Sequence, residues 1–177
     1  GPGIGGASKV SATAEDTGAA MAGSADIYLE DQDALVLGNV GPIAVNRVGT
    51  DGLATPTPDG LLGGGNAAGM LHVTTVDGDL TVDAPSSGRK VFLEANGAAR
   101  DITINDVVTS TEGNVILKAT DDVVVNADVT AFQDVALWAD TDGDSAGQVE
   151  QTTGTVEALN GDLFAAGIAR SGSYNKT

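Results

Sequence analysis

The sequence predicts an all-β chain wound as a parallel β-helix, and three observations carry that expectation. A five-residue phrase, Val-x-Leu-x-Ala, recurs at 91–95, 115–119 and 135–139. Its alternation suits strands whose successive side chains point to opposite faces. No segment holds a sustained 3.6-residue apolar period between proper caps, which argues against helices. Aromatic residues make up only 3% of the chain, so any core must be filled by Val, Leu, Ile and Ala. Small aliphatic side chains favour many thin layers over one thick globule.

Taken in order, residues 1–3 (Gly-Pro-Gly) read as a protease scar and 4–24 as an irregular segment that caps the N-terminal side. Repeats run over 25–170, with 171–177 as a C-terminal tail. First strands begin at 27, 71, 91, 115, 135 and 163, with a shortest spacing of 20 residues. Second strands follow at Leu35-Val-Leu37, Leu80-Thr-Val-Asp83, Ile102-Thr-Ile-Asn105 and Val123-Val-Val-Asn126. A unit of that length matches one coil of a solenoid with two or three short strands, whereas a propeller blade needs ~40 residues. Stacking at ~4.8 Å per coil makes six or seven coils a rod ~30–35 Å long. Right-handed winding is expected, the usual hand for parallel crossovers. The longest irregular stretch, 49–69, carries Pro56, Pro58, Gly60 and the run Gly63-Gly-Gly65. It reads as an inserted loop that leaves the solenoid and lies across one face.

The columns then sort themselves. Positions 91, 93, 95, 115, 117, 119, 135, 137 and 139 are all Val, Leu or Ala and face inward. Asp83, Asn105 and Asn126 share one position and should stack as a polar ladder. One outward column reads Tyr28, His72, Phe92, Ile116, Ala136, Phe164; its neighbour reads Glu30, Thr74, Glu94, Lys118, Trp138, Ala166. Tyr28, His72, Phe92, Lys118, Trp138 and Phe164 thus form a candidate contact surface. Lys118, between Glu94 and Trp138, is placed for an ion pair with the first and a cation–π contact with the second.

Composition narrows the chemistry. Asp and Glu number 25 against 8 Lys and Arg, for a net charge of −17, which repels nucleic acid and anionic membrane surfaces. No run approaches the ~18 apolar residues of a bilayer span, so direct membrane insertion is not expected. Cysteine is absent and His72 is the single histidine, which excludes disulfides, thiolate sites and two-histidine metal sites. The sharpest local motif is Asp140-Thr-Asp142-Gly-Asp144, whose alternate carboxylates could converge on calcium with Glu150 completing the set. Its alternative is a solvated acidic bend. No nucleophile elbow surrounds any serine, and the cations Arg89, Lys90, Arg100 and Lys118 lie away from the 140–144 acids within a coil. Catalysis is therefore not expected.

The order of phrases carries a resemblance. Ser24-Ala-Asp-Ile-Tyr-Leu-Glu-Asp-Gln-Asp-Ala-Leu-Val-Leu-Gly38, Val45-Asn-Arg-Val48, Gly78-Asp-Leu-Thr-Val82 and Gly113-Asn-Val-Ile-Leu-Lys-Ala119 resemble the repeats of filamentous haemagglutinin-like adhesins of bacterial surfaces. The likeness runs from about residue 10 to residue 170. It implies a right-handed parallel β-helix outside the cell, partnered by neighbouring repeats of its parent, with no catalytic residues to carry over. The expected role is a stiff stalk or display rod. The alternative is a glycan- or receptor-binding module that uses the aromatic stripe and the 49–69 loop.

Overall fold

A computed structural model describes residues 8–10, 12–13, 26–38, 40–48, 54–61 and 64–167. The chain is an all-β solenoid, and among the described residues it contains no helix. Three parallel sheets of six strands each run along it. Sheet A stacks Ser8–Val10, Leu35–Leu37, Leu80–Val82, Ile102–Ile104, Val123–Val125 and Val149–Gln151. Sheet B stacks Ala12–Thr13, Gly65–Asn66, Ser86–Gly88, Val108–Ser110, Val129–Ala131 and Val156–Ala158. Sheet C stacks Ile27–Asp31, Met70–Thr75, Lys90–Ala95, Val115–Ala119, Val135–Trp138 and Leu163–Ala166. Each coil visits A, B and C in turn. Four turns are uninterrupted, over 80–95, 102–119, 123–138 and 149–166. Two further rungs precede them to give six in each sheet, but the uninterrupted turns number four where six or seven coils were expected. The strands at 8–10 and 12–13 belong to the first rung, within the stretch expected only to cap.

Sheet C has the register that the repeated phrase required. Val91 pairs with Val115, Leu93 with Leu117 and Ala95 with Ala119, while Val135 and Leu137 continue the columns. All of these are buried. Sheet A supplies Leu80, Ile102 and Val123 to the same core, and Sheet B supplies Val108, Val129 and Val156. Each fully buried Leu, Ile or Val removes enough apolar surface from water to contribute ~1.5–3 kcal/mol. Sheet B was not read from the sequence, because each of its strands offers at most one large inward residue.

Corners explain much of the acidity. Before three strands of Sheet A stands an aspartate, Asp79, Asp101 or Asp122, that takes the next coil's amide. Asp101 N–H donates to Asp79 Oδ1 (3.2 Å), Asp122 N–H to Asp101 Oδ1 (3.0 Å) and Gln148 N–H to Asp122 Oδ1 (2.9 Å). Before Sheet C, Asp134 N–H donates to Asn114 Oδ1 and Asp162 N–H to Asp134 Oδ1. Thr155 N–H donates to Asp128 Oδ1 ahead of Sheet B. Bends would otherwise leave amides without partners, and a carboxylate accepts them strongly. The expected ladder after Sheet A is present too. Asn105 Nδ2 donates to Asp83 Oδ1 (2.9 Å) and Asn126 Nδ2 to Asn105 Oδ1 (2.8 Å), with the Thr152 hydroxyl donating to Asn126 Oδ1.

The 49–69 loop is a correction. Val40–Val48 pairs antiparallel with Ala54–Leu61 as a two-stranded ribbon, and Gly65–Asn66 has already rejoined Sheet B. The excursion therefore starts at 40 and is a hairpin rather than an irregular loop. Pro56 and Pro58 register with Asn46 and Ala44. Two residues apart, their donorless nitrogens face the same edge, and a two-stranded ribbon leaves such an edge unpaired. Residues 49–53 of the expected loop and the C-terminal tail 171–177 lie outside the described residues.

Candidate functional site

Parallel register turns the outward face of Sheet C into a grid. Tyr28, His72, Phe92, Ile116, Ala136 and Phe164 form one column, and Glu30, Thr74, Glu94, Lys118, Trp138 and Ala166 the next. The column's first three rings touch edge to face. Tyr28 and His72 have centroids 5.5 Å apart at 63°, and His72 and Phe92 4.6 Å apart at 79°. Such pairs add ~0.5–1.5 kcal/mol beyond the area they bury. His72 Nε2 lies 3.2 Å from Thr74 Oγ1. A shallow depression of about 150 Å³ opens beside the column, lined by Tyr28, Leu29, Glu30, His72 and Thr74.

Lys118 makes its ion pair with Glu94 at 2.6 Å, as expected. Its cation–π partner is a correction: the ammonium lies 5.8 Å from the Phe92 ring centroid, and no such contact to Trp138 occurs among the described residues. Glu94 sits on the preceding rung and draws the ammonium that way. Phe92 shares that rung, two residues earlier on the same face. Trp138 is left with 47% of its surface exposed.

The sequence-predicted contact residues divide accordingly. Tyr28, His72, Phe92 and Lys118 are joined by ring and charge contacts, whereas Trp138 and Phe164 stand on later rungs. Phe132 was missed; it follows the strand Val129–Ala131 at a Sheet B corner and is also exposed. The run Val129-Thr-Ala-Phe could have placed it, had Sheet B been recognised.

Asp140, Asp142 and Asp144 do come together, with carboxylate oxygens within 4.8 Å of one another. Their loop amides account for that geometry. Ser145 N–H donates to Asp140 Oδ1 (3.0 Å), Ala146 N–H to Asp144 Oδ1 (2.8 Å) and Asp144 N–H to Asp142 Oδ1 (3.4 Å). Glu150 is not part of the cluster. By then the chain has rejoined Sheet A, where Glu150 registers with Val124 on the outward side. A second group missed in the sequence, Asp101, Asp121 and Asp122, stands close by. Burial raises the Asp101 carboxyl above its usual value, against the pull of the Asp122 amide, and Asp122 and Asp79 raise it further. Asp121 is raised too, first by loss of solvent and then by Asp122, Asp101, Asp144 and Asp142. The two groups thus feel one another across a single acidic corner.

Compared with known protein families, curated proteins and solved structures, the chain has no match.

Proposed function

We propose that this chain is a non-enzymatic structural segment of a very large bacterial cell-surface or secreted protein, acting as a stiff rod that extends or displays an adhesive surface. The observation that supports this reading most is the unbroken parallel register on three sides of one axis. Bending such a stack must stretch backbone bonds in one sheet and compress them in another, and the corner ladders tie the same rungs a second time. A surface with a net charge of −17 keeps neighbouring rods apart in a salty exterior. Antibody labelling of intact bacteria that produce the parent protein tests the reading. Surface labelling, with filaments that shorten when this segment is deleted, is expected. Antigen confined to the cytosol would overturn it.

A second reading has its own observation. Tyr28 keeps 63% of its surface exposed while leading a stack of three rings. An exposed aromatic platform beside Glu30 and Thr74 suits contact with a glycan or protein receptor. Tyr28→Ala should then abolish adhesion while leaving the far-UV circular dichroism unchanged.

A further inference from the structure

A cleft larger than the depression beside the aromatic column lies at the corner between Sheets B and C. Its volume is about 430 Å³, within the ~300–1,000 Å³ usual for small-ligand pockets. Asp26, Met70, Arg89, Lys90, Glu112 and Gln133 line it. The corner backbone is fixed rung to rung. Arg89 N–H donates to Gly69 O (2.7 Å), Glu112 N–H to Arg89 O (3.1 Å) and Gln133 N–H to Gly113 O (2.9 Å).

Two cations, Arg89 and Lys90, balance two carboxylates, Asp26 and Glu112, in this cleft, although the chain as a whole carries −17. Among the described cations, Arg89 pairs with Glu112, Arg100 with Asp77 and Lys118 with Glu94. Lys90 has no such partner among the described residues, although two carboxylates line the same cleft. Its stem runs close over Gly113: a Cβ added there would stand 2.6 Å from Lys90 Cγ and 3.1 Å from its Cε. A side chain at 113 would therefore displace the lysine stem. Asp26 accepts the Met70 amide at 2.6 Å, so that carboxylate is positioned as well.

We propose that this cleft binds a carboxylate-bearing sugar residue, with Lys90 as the anchor for the carboxylate. A ligand that is only an anion fits poorly, because Asp26 and Glu112 would repel it. A ligand with one carboxylate and several hydroxyls satisfies both signs: hydroxyls donate to Asp26 and Glu112, and the Gln133 amide both donates and accepts. The Met70 side chain offers an adaptable apolar surface against a sugar ring. Polyanions are disfavoured by the net charge of the chain, so recognition is of a single acidic unit. This site is separate from the aromatic column and does not depend on either reading above.

Titration of the whole chain with D-glucuronate, followed by ¹H–¹⁵N chemical shifts, tests the proposal. Saturable shifts centred on Met70, Lys90 and Gln133 are expected, with Lys90→Met weakening binding about tenfold, as loss of a charge-assisted hydrogen bond does. Gly113→Ala keeps the charge but displaces the lysine stem, and should weaken binding severalfold; its fold is checked by the unchanged core resonances. No saturable shifts up to ~50 mM, or a Lys90→Met chain that binds as well as the parent, would overturn the site. Equal binding of D-glucose would overturn the role of the carboxylate, and equal binding of acetate the role of the sugar.

Discussion

Leu117 and Leu137, in the middle of Sheet C, have a rung on either side and no exposure, whereas in Leu163–Ala166 the same inward columns reach half-buried Leu163 and exposed Ala165. Inward residues are aliphatic in both regions, although Leu137 gives way to the smaller Ala165, and the backbone pairing remains parallel and in register through Val135 with Leu163. What differs is cover. A solenoid residue is buried by the rungs above and below it as much as by the sheets across the core, so an aliphatic side chain contributes differently along the axis. Outward apolar side chains do not follow that gradient: Phe132, Trp138, Leu159 and Phe164 belong to the last two rungs, but Tyr28, Val76 and Val107 are exposed on earlier ones.

The sharpest way to break that comparison is a pair of truncations. Leu117→Ala should cost about 3 kcal/mol in urea unfolding, whereas Leu163→Ala should cost less than about 1.5 kcal/mol. Equal costs would mean that the last rung is covered as well as the middle. Glycines sharpen it next. A Cβ at Gly147 would stand 2.4 Å from both Asp121 O and Asp140 N, backbone atoms that cannot swing away. Gly147→Ala should therefore lose about 2 kcal/mol or more. Gly143, at φ +76° with open space around it, should lose only about 1 kcal/mol on the same change.

Ladders come third. Asn105→Ala removes a rung with neighbours on both sides and should cost about 1 kcal/mol; Thr152→Ala, bonded to Asn126 alone along this ladder, should cost about half that. The smallest effect is electrostatic. A carboxyl raised above its ordinary value binds protons more tightly when folded, so the folded state loses stability as pH rises through that value and regains it on acidification. Asp121→Asn should raise Tm by about 1–2 °C at pH 7. The gain should vanish below the ordinary aspartate value of 3.8, where the parent residue is protonated folded or unfolded.

Sheet C was legible because its phrases repeat at nearly constant side-chain volume, and period-two alternation then fixed every outward column from Tyr28 to Phe164. Sheet B was not, since Ser86–Gly88 and Val156–Ala158 share little beyond a small residue at the end. A sharper signal lay one position upstream. Asp122-Val123, Asp128-Val129 and Asp134-Val135 mark three successive strand starts within one coil, because the acceptor that satisfies the bend stands just before the first inward residue. The hairpin was hidden by Pro56 and Pro58, which read as loop unless one edge is known to lack a partner. Among the functional candidates, alternation located the aromatic column, but the turn of Lys118 toward Phe92 depended on which neighbour held the carboxylate. The cleft at Lys90 was out of reach, since it joins residues from five coils through a sheet that had not been recognised.

Those aspartates have a consequence for the molecule's physical character. A coil such as 122–138 brings three of them, Asp122, Asp128 and Asp134, to its three corners. Copies of that coil joined head to tail would accumulate negative charge in proportion to contour length, at intervals of ~4.8 Å, well inside the ~8 Å screening distance of physiological salt. Such an array would behave as a rigid polyelectrolyte, whose solubility and spacing from its fellows follow ionic strength as an unavoidable by-product of turning corners.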